Sequence, residues 1–396
     1  MKNKNMKKED EIKTVVPALR FPEFRGMNEW EENKLNSLCD IINGKCNAQD
    51  HVEGGKYPLF DRSATMKYSN DYLYDCEAII IPGEGVKFVP KYYIGKFNLH
   101  QRAYALKDFS CNGRFLFYSM EYYSGLLAIK AVKSTVLPLR LPILQNFLLY
   151  IPNNNTEQQK IADCLSSLDD LIEATAQKVE VLKEHKKGLM QRLFPAEGKN
   201  VPDLRFLEFQ GAEEWKESSL DEYFDFKQGF QCPVEEQYDK QEHGMVRFIR
   251  IIDLTQPSTP YRYINDPGNQ YYINKENLFM VRYGDPGLVG IGYEGIIANN
   301  LFQLIPKKKI NPYFFYFLFS KEKTRIKGLS SSTSLSAINF TSLKAFKIVV
   351  SQNTDEQQKI ADCLSSIDEL IEVISRKVEI LKEHKKGLMQ QLFPKI

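Results

Sequence analysis

One long segment occurs twice in this chain, and both copies carry a helical heptad. Residues 157–195 read EQQKIADCLSSLDDLIEATAQKVEVLKEHKKGLMQRLFP, and residues 356–394 read EQQKIADCLSSIDELIEVISRKVEILKEHKKGLMQQLFP. At a constant offset of 199, 31 of the 39 positions are identical. Steps of four and three residues pick out Ile161, Leu165, Leu168, Ile172, Thr175, Val179, Leu182, Lys186, Leu189 and Leu193 in the first copy. In the second they pick out Ile360, Leu364, Ile367, Ile371, Ile374, Val378, Leu381, Lys385, Leu388 and Leu392. That spacing is the apolar seam of a coiled coil. A seam on a lone helix must find a partner, and the simplest partner is the other copy. A two-fold pseudo-symmetry axis perpendicular to the helices then predicts an antiparallel pair; a parallel pair would instead put both intervening domains at one end. Lys186 and Lys385 are the only break the copies share. Asn155/Thr156 and Asn353/Thr354 read as N-caps, and Pro195 and Pro394 stop each helix.

A second echo precedes each copy. PALRFPEFRGMNEW (17–30) returns as PDLRFLEFQGAEEW (202–215), at an offset of 185. The chain between the echoes hardly repeats. The organisation predicted is a disordered N-terminal tail over 1–16, a first divergent domain over 17–152 and a central coiled-coil helix over 153–195. A linker and second divergent domain over 196–350 and a C-terminal coiled-coil helix over 351–396 follow. Within each divergent domain, strand-like runs (78–82 and 247–252) and an aromatic helix starting at Asn112 or Asn311 predict an α+β fold.

Composition narrows the function. The net charge is only +2, so a tail-driven nucleic-acid binder is excluded but local basic faces are not. No run of about 18 apolar residues occurs, so no membrane association is expected. The basic N-terminus lacks an apolar core and does not read as a secretory signal. Seven cysteines without a CxxC suggest reduced thiols in a cytoplasmic protein. No phosphate loop, no glycine-rich dinucleotide turn and no methyltransferase tetrapeptide occurs, and no residues stand out as catalytic or metal-binding. Asp169/Asp170 and Asp368/Glu369 read as solvated faces of the helices.

Binding chemistry remains. Lys87, Lys91, Lys96 and Arg102 are interleaved with aromatics in the first domain, as are Arg247, Arg250, Arg262 and Arg282 in the second. Arginine can grip guanine with two hydrogen bonds, and lysine or hydroxyl groups can sit on phosphates. After each aromatic helix, Lys130, Lys133, Ser134 and Thr135, and Lys327, Ser332, Thr333 and Ser334, could form a DNA backbone clamp. These sixteen residues are the candidate DNA-binding set.

Taken together, the doubled helix, the PxLRFxEFxGxxEW entry and the apolar strand running into Glu157-Gln158-Gln159 or Glu356-Gln357-Gln358 resemble the specificity subunit of type I restriction-modification systems. The resemblance covers nearly the whole chain. It implies two pseudo-symmetric α/β target-recognition domains separated by two long helices in an antiparallel coiled coil. Each domain would read one half of a split, asymmetric site on double-stranded DNA. The subunit itself would be non-catalytic and would hold no cofactor. Two copies of a modification methyltransferase would bring S-adenosylmethionine, and two motor-nuclease restriction subunits could add ATP and Mg. The setting implied is the cytoplasm of a bacterium or archaeon. The alternative is an adaptor that does not bind DNA, with two ligand domains on a coiled coil.

Overall fold

The computed structural model describes residues 14–63, 65–85, 88–130, 138–256, 258–330 and 337–395. Most of the expected N-terminal tail therefore lies outside the described residues. The chain divides into two compact units, residues 1–176 with 376–396, and residues 177–375. Each unit takes half of each long helix, Asn155–Leu193 and Thr354–Leu392.

The helix starts follow the repeat more strictly than the capping rule suggested. Asn353 caps the second helix, its Oδ1 accepting from the backbone of Asp355 and Glu356. In the first helix the cap is Asn154, accepting from Thr156 at 2.8 Å, rather than Asn155 or Thr156. Asn154 is the residue 199 before Asn353, whereas Asn155 is already helical.

In the first unit, the start of the first long helix and the end of the second meet the same entry segment. Arg20 binds Glu157, and the neighbouring Leu19 N–H donates to Gln391 O. Further along, Asp169 meets Lys385, so the two helical segments run antiparallel. The second unit repeats this: Arg205 binds Glu356, Leu204 N–H donates to Arg192 O, and Lys186 meets Asp368. The seam faces inward in both. Ile161, Leu165, Val179, Ile360, Leu364, Ile374 and Val378 are buried, and Leu168, Ile172, Leu182, Leu189, Ile367, Ile371, Leu381 and Leu388 are half-buried.

In the first unit a six-stranded sheet runs in the order Asp40–Asn43, Ala103–Lys107, Tyr74–Pro82, Lys91–Leu99, Tyr57–Phe60, Lys67–Ser69. The long strand Lys91–Leu99 joins its two parts, pairing antiparallel with Tyr74–Pro82 and parallel with Tyr57–Phe60. In the second unit the corresponding stretch is broken. Val289–Gly290 pairs with Leu278–Val281, while Gly295–Ile297 pairs in parallel with Met245–Ile249. Two four-stranded sheets result instead of one of six. Gly292, with φ +85°, lies in the break, a conformation side-chain-bearing residues seldom adopt. The expected strand over 247–252 is shorter than foreseen. It ends at Ile249, and Ile251–Thr255 is helical because Asp253 caps it through the Arg250 N–H.

The aromatic helices are Gly113–Tyr122 and Pro312–Lys327, each capped by the expected asparagine, Asn112 or Asn311. They pack their rings into the two main cores. In the first, Trp30, Phe115 and Leu116 meet Ile161, Leu165 and Phe393. In the second, Trp215, Phe314 and Phe315 meet Ile360, Leu364 and Phe194. Gly44 and Gly229, 185 apart, serve one purpose: a Cβ would lie 1.9 Å from Leu99 O in one and 2.2 Å from Ala298 O in the other.

Candidate nucleic-acid interface

The two repeated sequence signals meet in space within each unit. Glu157 is fully buried at the start of the first long helix. Arg20 grips it in a fork, Nε to Oε1 and Nη2 to Oε2, both 2.7 Å. Trp30 Nε1 donates to the same carboxylate at 3.3 Å, and Arg20 also donates to Met27 O and Asn28 O. The hydrogen bonds to Glu157 raise the Arg20 pKa further, against the cost of burial. The second unit repeats the clamp. Arg205 donates to Glu356 at 2.6 and 2.9 Å, Trp215 Nε1 donates at 3.1 Å, and Ser351 Oγ adds a bond of 2.6 Å. A buried carboxylate is tolerable only when its charge and lone pairs are matched in this way. The Arg, the Trp and the Glu are therefore identical in both repeats for a structural reason that neither echo reveals alone.

The lysines that break the seam are matched as well. Lys186 Nζ lies 2.6 Å from Asp368 and 5.0 Å above the Phe317 ring. Lys385 lies 2.8 Å from Asp169, 2.9 Å from Glu121 and 5.1 Å above Tyr118. Tyr118 also donates to Asp169, and burial followed by that carboxylate raises its hydroxyl pKa. The reading of Asp169 and Asp368 as merely solvated is thus corrected. They turn toward the seam because a half-buried lysine needs a counter-charge, whereas Asp170 and Glu369 do face solvent.

The sixteen candidate DNA-binding residues fare differently from one another. Lys87, Lys133, Ser134, Thr135, Ser332, Thr333 and Ser334 lie outside the described residues. In the first unit, Lys91 and Lys96 share the long strand. Lys91 donates to Ser63 O at 3.2 Å, while Lys96 is exposed, 4.7 Å above the Tyr72 ring. Arg102 pairs with Glu84 at 2.8 Å. Lys130 ends the helix Ser124–Lys130 and sits 5.2 Å above Phe147. In the second unit, Lys327 is exposed at the end of the aromatic helix.

The four arginines of the second domain divide sharply. Arg250 is tied to Asp253 and to Pro260 O, Arg262 pairs with Asp239, and Arg282 donates to Gln228 at 2.8 Å and to Ile338 O. Arg247 has no such partner among the described residues. Its guanidinium lies 3.7 Å from the Tyr261 ring centroid and 5.4 Å from that of Tyr293. Its Nε is buried and meets no acceptor, a deficit of about 1–3 kcal/mol for a buried donor. Tyr293 lies in the sheet break described above, and burial raises its pKa while Arg247 opposes the rise. The sequence marked all four arginines alike, because pairing is invisible to residue type.

Among the described residues, no helix is long and apolar enough to cross a membrane. All seven cysteines are free.

A family model for the type I restriction modification DNA specificity domain matches the chain twice, over residues 27–184 and 212–383. A protein assigned as the MjaX type I restriction enzyme specificity subunit of Methanocaldococcus jannaschii is 30% identical over 252 residues, 60% of this chain and 56% of that protein. The chain thus spans little more than half the length of that relative. The MjaVIII type I restriction enzyme specificity subunit of the same organism is 25% identical over 426 residues, 97% of this chain and 95% of that one. The crystal structure of the type I restriction-modification system S subunit from M. genitalium superposes with a TM-score of 0.68 at 18% identity, covering 96% of this chain and 100% of that chain. That likeness speaks for the fold. Two domain matches covering most of the residues carry the assignment: the chain belongs to the type I restriction-modification DNA specificity family.

Proposed function

We propose that this chain is the sequence-reading subunit of a type I restriction-modification complex. It reads a split, asymmetric site on double-stranded DNA, one half-site per recognition domain, and directs adenine-N6 methylation or cleavage by partner subunits. Two copies of a methyltransferase subunit supply S-adenosylmethionine and the methylating site. Up to two motor-nuclease subunits supply the ATP- and Mg-dependent steps. The complex works in the cytoplasm.

One observation carries this reading. The Arg, Trp and Glu of the clamp and the Lys–Asp pairs of the seam recur at corresponding positions, whereas one domain has a six-stranded sheet and the other two sheets of four. A constant frame suits two copies of one partner, and unlike domains suit two unlike half-sites. With a net charge of only +2, much of the phosphate contact falls to partners.

The test is to co-express the chain with an adenine methyltransferase of this system and map the methylated adenines. A motif in two unlike halves, separated by a gap of unread pairs, is the expected result. A continuous or palindromic motif would sink the proposal.

A further inference from the structure

We infer that Arg247 is the residue with which the second recognition domain reads a guanine in its half-site. The inference rests on the DNA-reading function proposed above and adds a base-reading residue to it.

The argument starts from the other arginines. Arg250, Arg262 and Arg282 are each held by a carboxylate, an amide oxygen or a backbone carbonyl within the unit. Arg247 carries its charge with no carboxylate and no hydrogen-bond acceptor among the described residues. Its Nε is buried without an acceptor, the residue as a whole is half-buried, and its two terminal nitrogens are occupied by no hydrogen bond among the described residues. They are the ends of a planar fork, the shape that matches guanine O6 and N7.

The fork is also held still. The guanidinium stacks on Tyr261 at 3.7 Å and lies within reach of the Tyr293 ring at 5.4 Å. Both tyrosines are anchored through one short helix. Arg250 bridges Asp253 to Pro260 O, beside Tyr261, and Tyr293 donates to Asp253 O at 3.2 Å. The strand beneath is fixed by Gly295, where a Cβ would lie 2.3 Å from Arg247 O. A donor pair held in place before DNA arrives loses little freedom on binding, which favours discrimination between bases.

The feature is peculiar to one domain. His100 N–H donates to Phe60 O in the first unit as Ala298 N–H donates to Ile249 O in the second, both at 2.9 Å. Phe60 therefore corresponds to Ile249, and Pro58 to Arg247. The sheet break that delivers Tyr293 has no counterpart in the unbroken strand Lys91–Leu99. The same scaffold position thus bears a fixed fork in one domain and no donor in the other, as unlike half-sites require.

The full chain in complex with its methyltransferase partner would be assayed on duplexes carrying the mapped target and every single-pair change in it. Arg247→Lys keeps the charge over Tyr261 but loses the fork, and Arg247→Gln loses both. Each should cut the preference for G·C at one position of one half-site by about 5- to 150-fold. Discrimination in the other half-site, and the unfolding midpoint of the Lys variant, should not move. Unchanged discrimination at every guanine would overturn the inference. So would uniform weakening across all sequences with a shallower salt dependence, which marks a phosphate contact. If the wild-type complex itself reads no split target, the functional proposal has failed, and this assignment falls with it.

Discussion

Lys385 meets Asp169 at 2.8 Å, and Lys186 meets Asp368 at 2.6 Å. Residue 385 is 186 plus 199, and residue 368 is 169 plus 199, so the two pairs are one pair with the partners exchanged. A charge inside an apolar seam usually costs stability and is kept for register or partner choice. Here each lysine finds its carboxylate only when the segments run antiparallel in this register.

Lys385→Leu should therefore destabilise the first unit rather than repair its seam. Asp169 and Glu121 would face each other without a cation, and Tyr118 would lose its overlying charge. About 1–2 kcal/mol is expected, since the carboxylates are only partly buried. Adding Asp169→Asn should recover part of it. Urea denaturation of the single and double variants checks this, and full additivity would count against the pair.

The Glu157 clamp should be less forgiving. Glu157→Gln leaves Arg20 nearly buried with no counter-charge, a change that costs about 3–5 kcal/mol. Glu356→Gln should cost a similar amount in the second unit, because Arg205 and Trp215 are arranged alike. Guanidinium melts followed by tryptophan fluorescence are suited to the measurement, as Trp30 and Trp215 each touch the carboxylate. Equal stability of variant and wild type would refute the clamp.

Phe393 closes the first core against Trp30 and Phe115, at ring distances of 6.3 and 5.6 Å. Phe194 does the same to Trp215 and Phe314, at 6.0 and 5.3 Å. Phe393→Ala and Phe194→Ala should each cost about 3–5 kcal/mol by leaving a cavity. Differential scanning calorimetry should show each variant lowering the melting of the unit that holds the ring.

Gly44→Ala and Gly229→Ala place a methyl group on a backbone oxygen that has no side chain to swing away. A loss of at least about 1–3 kcal/mol is expected for each. Limited proteolysis gives a direct comparison, and wild-type resistance in either variant would contradict the close approach.

Much of the frame is legible in the order of residues alone. The heptad predicts which residues turn inward, and all seventeen apolar seam positions are buried or half-buried. The offset of 199 even locates the Asn154 cap, which the local capping rule places one residue late. Residue type does not tell Arg247 from Arg250, Arg262 and Arg282, nor Asp169 from Asp170.

Chain order accounts for the two helices, their antiparallel pairing and the repeated entry segment. These follow from periodicity and repetition, which are properties of order along a line. Folding in three dimensions is what closes Arg20 and Trp30 on Glu157, which lies 127 residues beyond Trp30. It also breaks the second domain's sheet beside Tyr293, and it leaves one arginine of four with its fork unspent. The physical reason is that a charge is neutralised by whatever lies within about 3 Å of it, and chain order does not specify that neighbour.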